Sequence, residues 1–193
     1  MSGPTLTLVR HGLTQWARDG RYTGRTDLPL LPEGEQQAHA LSAVLSERQY
    51  SLVLTSPLER ARHTAQLAGF PDAVDDGDLM EWDYGDAEGA DAVEWKRAHP
   101  EFDQWHVGTP HGESPQDVGA RVDRVIARTT ATDGNVLVFA HGHVLDVLAV
   151  RWIGLDPSVG GNFQLDPATI SELGWHHDRP VMVRWNCPGG GSK

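Results

Sequence analysis

The sequence predicts an α/β fold, on two observations. Residues 5–9, 50–56 and 135–140 are short apolar runs that read as strands, and stretches with helical spacing follow them. Two of these runs end alike, in Arg10-His11-Gly12 and in His141-Gly142-His143. Histidine followed by glycine where a strand gives way to a loop is informative, because open α/β sheets bind ligands in the crevice at the carboxyl ends of their strands.

Thr5-Leu6-Thr7-Leu8-Val9 is β-branched and apolar, so it reads as a buried strand. Residues 13–31 carry Gly20, Gly24, Asp27 and Pro29 and read as loop. A helix is expected from Pro32 to about residue 48, with Glu33 and Glu35 in its favourable first turn and Ala38, Leu41, Val44 and Leu45 on one face. Tyr50–Ser56 is the second strand. Ser56, Pro57 and Glu59 fit a capping box for a helix over Pro57–Ala68. Arg60 falls in its first turn, where helix amides already favour anions. A short strand is expected at Ala73-Val74. Leu79–Gly89 then presents Glu81 between large apolar residues, and such surroundings raise a carboxyl pKa and suit a general acid. Residues 90–106 read as a helix anchored by Trp95, Phe102 and Trp105. Ser114, Pro115 and Asp117 start a helix running to Thr130. Asn135–Ala140 is the most apolar strand and is expected at the sheet centre. The helix Val144–Trp152 follows, then loop over 154–167, then a closing hairpin or edge strands at Ala168–His176 and Val181–Trp185. One domain over residues 1–187 and a flexible tail over 188–193 are expected.

Composition narrows the function classes. The chain has 193 residues and a net charge of −11, which argues against nucleic acid and anionic membranes as partners. No apolar run is long enough to span a bilayer and no leader is evident, so the cytoplasm is expected. The one cysteine, Cys187, cannot form an intrachain disulfide. Against this acidic background, Arg10, His11, Arg18, Arg21 and Arg25, then Arg60, Arg62 and His63, form basic clusters suited to a small anionic substrate. His141 and His143 would share a face only if the strand continued through Gly142, and no third ligand has suitable spacing, so no metal site is expected. No cofactor is expected either.

Arg10, His11, Arg60, Glu81 and His141 all fall at strand ends or loops that such a sheet brings to one edge. The set suits phosphoryl transfer. His11 attacks phosphorus, Arg10, Arg60 and a protonated His141 neutralise the oxygens, and Glu81 protonates the leaving alkoxide and then activates water. Thr14, Thr23 and the Gly24 amide are candidate phosphate donors. Tyr84, Gly142 and His143 complete the expected substrate-binding set.

Val9–Thr14, Arg21–Asp27, Thr55–Ala61, Glu81–Gly85, Gly112-Glu113-Ser114 and Ala140-His141-Gly142 resemble, in order and spacing, the histidine phosphatase superfamily, which includes cofactor-dependent phosphoglycerate mutases. The resemblance implies a three-layer sandwich, with a mainly parallel central sheet and helices on both faces. It also implies that His11 is phosphorylated, that Arg10, Arg60 and His141 bind phosphate, and that Glu81 donates the proton. The chain departs from the mutases in having Ala17 where they place an asparagine, and His106 and Val107 where they place an arginine pair. It is also shorter between Gly85 and Gly112 than they are. The Glu81–Gly85 and His141–His143 segments look more like the phosphatase branch, which includes sugar-bisphosphatases and acid phosphatases. Asp146 stands where many members have a basic residue. The expected function is therefore hydrolysis of a small phosphorylated metabolite. Mutase activity is the alternative, followed by a non-catalytic module, which would have lost one of His11, Arg60, Glu81 or His141. Exposed tryptophans or the C-terminal strands could support a homodimer.

Overall fold

Alternation of side chains along the central strands sorts the molecule into layers. The computed structural model describes residues 3–189. Strand β4 (Val136–Ala140) is fully buried. It sends Val136, Val138 and Ala140 into one hydrophobic cluster and Leu137 and Phe139 into another. Strand β1 (Leu6–Arg10) does the same with Leu6 and Leu8 against Val9. Period-2 alternation with both sets apolar requires cover on both faces. Helices α2 (Pro32–Leu45) and α3 (Glu59–Leu67) cover one face through Leu41, Leu45 and Ala65, while α5 (Pro115–Thr130) and α6 (Gly142–Trp152) cover the other through Val118, Val122, Val144 and Leu148. The result is the three-layer α/β sandwich.

With β2 (Leu52–Thr55), β3 (Val74–Asp75), β5 (Thr169–His176) and β6 (Arg179–Pro188), the sheet order is β3-β2-β4-β1-β5-β6. The pairs β3–β2, β2–β4 and β4–β1 are parallel, whereas β5 is antiparallel to both β1 and β6. Arg10 pairs with Ala140, so the two strands end level. The chain leaves β1 toward α2 on one face and leaves β4 into α6 on the other. Adjacent strands that diverge to opposite faces open a crevice between their carboxyl ends.

Local differences from the sequence reading have physical causes. Within the loop over 13–31, Thr14 caps a single helical turn, α1 (Gln15–Arg18), by accepting from the Ala17 amide at 3.3 Å. Helix α3 begins at Glu59 without the expected capping box. Its Glu59 amide donates instead to Asp27 Oδ1 at 2.8 Å, while the buried Ser56 hydroxyl lies 2.7 Å from His141 Nε2. The helix expected over 90–106 covers only Ala92–Ala98 (α4). It stops at His99, the residue before Pro100, a position where proline disfavours helical backbone. The Ser114–Asp117 capping box of α5 forms as the sequence indicates. Pro188, where the expected tail begins, pairs with Thr169, and the tail's residues 190–193 lie outside the described residues. Among the described residues no helix is long and apolar enough to cross a membrane.

Candidate active site

The level ends of β1 and β4 bring together two histidines that are far apart in the chain. The His11 amide donates to the Ala140 carbonyl at 3.0 Å, and the rings of His11 and His141 lie with centroids 5.1 Å apart. The loop after β1 is held closely. Gly12 donates to Thr64 Oγ1 on α3 at 3.0 Å, and that hydroxyl donates to the Arg60 carbonyl at 2.7 Å. A Cβ at Gly12 would collide with the Gly34 carbonyl of α2, so this turn admits only glycine.

This packing fixes the chemistry of His11. Its Nδ1 lies 2.7 Å from the Gly12 carbonyl. A carbonyl only accepts, so Nδ1 carries the proton and Nε2 keeps its lone pair. Burial, then Arg60 and Arg10, holds the His11 pKa well below the usual histidine value. The ring is therefore neutral at neutral pH, with the Nε2 lone pair free.

Arg10 and His11 line a cavity of about 350 Å³ together with Thr23, Glu81, Tyr84, Gly142, His143 and Asp146. Arg10 donates one N–H to the Leu165 carbonyl, while its buried Nε has no partner. Glu81 is held at the start of α6. Its carboxyl accepts from the amides of Trp82 (2.9 Å), His143 (3.1 Å) and Val144 (2.9 Å). The segment bearing Glu81 is itself clamped. Arg121 bonds both oxygens of Glu113 and the carbonyls of Asp78 and Met80, and Glu113 accepts from the Asp83 amide. His143 Nδ1 faces the Tyr84 hydroxyl and Gln104 Nε2, both able to donate, which leaves Nε2–H as its donor toward the cavity. Burial, then the Glu81 charge, pushes the Tyr84 pKa well up, so its hydroxyl stays neutral.

Other expected site residues sit behind the cavity rather than on its wall. Arg60 is fully buried and fans out to the carbonyls of Thr23, Gly24 and Thr26 and to His141 Nδ1, the last at 3.0 Å. Because Arg60 only donates, His141 Nδ1 is unprotonated and Nε2–H points to Ser56. Burial, then Arg60 and His11, holds the His141 pKa well below the usual value, so the ring is neutral rather than protonated as the sequence reading expected. Thr14 is the cap of α1. The Gly24 amide is not free for phosphate, because it donates to Glu88 at 3.0 Å. Sequence reasoning missed Ser56, Thr64, Glu88 and Gln104, whose roles depend on partners distant in the chain. It also missed Tyr22, Gln164 and Asp166 on the cavity wall, where Arg21 of the expected basic cluster also lies.

Comparison with known proteins identifies the family. A family profile described as "Histidine phosphatase superfamily (branch 1)" matches residues 6–188. The chain is 35% identical over 176 residues to an acid phosphatase of Mycobacterium tuberculosis, covering 89% of this chain and 87% of that protein. It is 37% identical over 169 residues to a 2,3-bisphosphoglycerate-dependent phosphoglycerate mutase of Rhizobium etli, covering 78% and 79%. The crystal structure of a putative alpha-ribazole-5'-P phosphatase from Escherichia coli superposes with a TM-score of 0.84 at 30% identity, covering 99% and 100%.

Proposed function

The chain belongs to branch 1 of the histidine phosphatase superfamily, and from that membership and the geometry above we propose that it is a phosphomonoesterase acting on small phosphorylated metabolites through a phosphohistidine at His11. The observation that carries the reading is the His11 tautomer: a neutral ring with its Nε2 lone pair available, beside an arginine with an unpartnered buried Nε–H and a carboxyl on the same cavity wall.

His11 Nε2 attacks phosphorus as the P–O bond to the alcohol breaks, and the leaving oxygen takes a proton from Glu81. Glu81, now a carboxylate, takes a proton from water, and the resulting hydroxide displaces His11 from phosphorus. Arg10 donates from Nε and its remaining Nη N–H groups to the non-bridging oxygens, with Thr23, Gly142 and the His143 Nε2–H around them. Arg60 supplies positive potential from behind. It also holds the 23–26 loop and the His141 ring in place.

Hydrolysis is favoured over mutase chemistry by what stands at three positions. Ala17, on the cavity wall, has no polar group for phosphate. Val107 is 74% exposed and His106 pairs with Asp103, so neither offers a cation to a substrate carboxylate in the cavity. The same reading sets the protein in the cytoplasm. A homodimer through the outer edge of β6, where Val183 is exposed, belongs to the reading as well.

The test is a panel of phosphate esters without added metal, scored for released phosphate, with conversion of 3-phosphoglycerate to 2-phosphoglycerate followed in parallel. Phosphate release with little isomerisation is expected. Isomerisation that depends on 2,3-bisphosphoglycerate, with little hydrolysis, would replace this reading with the mutase.

A further inference from the structure

Among the described residues, four buried side-chain N or O atoms have no hydrogen-bond partner, and two of them, Arg10 Nε and Asp146 Oδ1, belong to the cavity. The transferred phosphate accounts for Arg10. Nothing in the transfer chemistry accounts for Asp146. This residue lies four positions after Gly142 and three after His143 on α6, so all three share the helix face that lines the cavity. Asp146 is 3% exposed, and a buried carboxyl without a partner is unfavourable unless a ligand completes it.

We propose that Asp146 is a specificity-determining residue that hydrogen-bonds a hydroxyl on the alcohol side of the ester, so that the preferred substrates are polyol monophosphates lacking a second anionic group. The inference rests on the phosphomonoesterase reading and names its substrate class. Burial, then the Glu81 charge, pushes the Asp146 pKa well up, which makes the group a neutral carboxyl able to donate and to accept. A hydroxyl matches both capacities. A substrate ammonium would need Asp146 ionised beside Glu81. A second phosphate or carboxylate would meet the Asp166 carboxylate, which its hydrogen bonds from Gln164 and Asn186 hold below the usual carboxylate range. Among the described residues, the only cation on the wall besides Arg10 is Arg21, one of whose donors is engaged by the Gly89 carbonyl.

The experiment compares kcat/KM for three probes. Phenyl phosphate has no polar group on the alcohol side, whereas D-glycerol 3-phosphate and D-3-phosphoglycerate differ only in a terminal hydroxymethyl against a carboxylate. The wild-type protein should favour glycerol 3-phosphate over 3-phosphoglycerate by about tenfold or more. Asp146→Ala should lower the glycerol 3-phosphate to phenyl phosphate ratio by about tenfold or more, mainly through KM. Asp146→Asn, which keeps a donor and an acceptor, should recover most of that ratio, and Asp146→Arg should raise 3-phosphoglycerate relative to glycerol 3-phosphate. An equal loss on both esters in Asp146→Ala, or a wild-type preference for 3-phosphoglycerate, would overturn the proposal. If the wild-type protein hydrolyses phenyl phosphate but the ratios do not move, the Asp146 inference alone fails. If it hydrolyses none of the probes, the phosphomonoesterase reading fails and this one falls with it. Melting curves of the Asn and Ala variants separate misfolding from altered selectivity.

Discussion

Replacing Thr64 with valine tests whether α3 positions His11. The Thr64 hydroxyl is buried, accepts from the Gly12 amide at 3.0 Å and donates to the Arg60 carbonyl at 2.7 Å. Valine has nearly the same volume, so the packing survives while the Gly12 N–H loses its acceptor. A buried polar group orphaned in this way costs about 1–3 kcal/mol. At about 2–4 °C per kcal/mol for a chain of this size, a loss near 2 kcal/mol lowers Tm by about 4–8 °C. The Gly12 carbonyl, on the same residue, holds the His11 Nδ1–H, so the ring should also lose its alignment. Misplacement of a reacting group by a fraction of an ångström to one ångström lowers the rate by about tenfold to a hundredfold. Thermal melts and phosphate-release kinetics on wild type, Thr64→Ser and Thr64→Val give both numbers, with serine expected near wild type. A valine variant that melts and turns over like wild type would refute the link from α3 to His11.

The remaining expectations can be checked with the same assays. His11→Ala should abolish turnover and leave the circular dichroism spectrum intact; residual normal turnover would remove the phosphohistidine. Glu81→Gln should slow esters of poor leaving groups, such as sugar phosphates, more than aryl phosphates, and equal losses would take the proton-donor role from Glu81. The folded pKa values of His11 and His141 both lie below the unfolded value, so the unfolded chain binds protons first as pH falls. The stability from keeping these rings neutral is therefore complete above about pH 6.5 and is lost as pH falls from there through the folded values. Urea titrations across this range should show the slope, and His141→Asn should flatten it. Asp146 has the opposite sign, since its folded pKa is raised. Asp146→Asn should stabilise the protein more at pH 7 than near pH 4, as read by Tm. Gly34→Ala places a Cβ against the Leu13 carbonyl and should destabilise by about 1–3 kcal/mol, with guanidinium melts as the measure.

Particular residues show what could be read from the chain. The strands of Leu6–Arg10 and Val136–Ala140 were legible because both are nearly continuous apolar runs, and their His-Gly endings brought His11 and His141 to one sheet edge. The apolar flanks of Glu81 agree with its burial on the cavity wall. The partner of a polar group was not legible. Ser56 has the local form of a helix cap, yet Asp27 caps α3 and Ser56 meets His141. Arg60 reads as an anion ligand at a helix start, yet its guanidinium binds three carbonyls of another loop. Side-chain hydrogen bonds between distant segments leave no periodicity, so local pattern cannot assign them. The helix over 90–106 was misjudged because its aromatic spacing reflects packing of a turn-rich segment rather than a continuous helix.

The position of β1 also bears on how the protein is made. Its two neighbours in the sheet, β4 and β5, pair with it at Val136 and Leu173, about 130 and 167 residues further along the chain. A ribosome adding roughly 5–20 residues per second therefore releases the first strand several seconds to tens of seconds before either neighbour exists. During that interval Leu6, Leu8 and Val9 have no sheet to join, and His11 is in an unstructured nascent chain. The candidate active site is thus among the last parts of the molecule to assemble. Truncated or stalled chains should be inactive and prone to pair through that exposed strand, and slow closure of this long-range contact should limit the refolding rate.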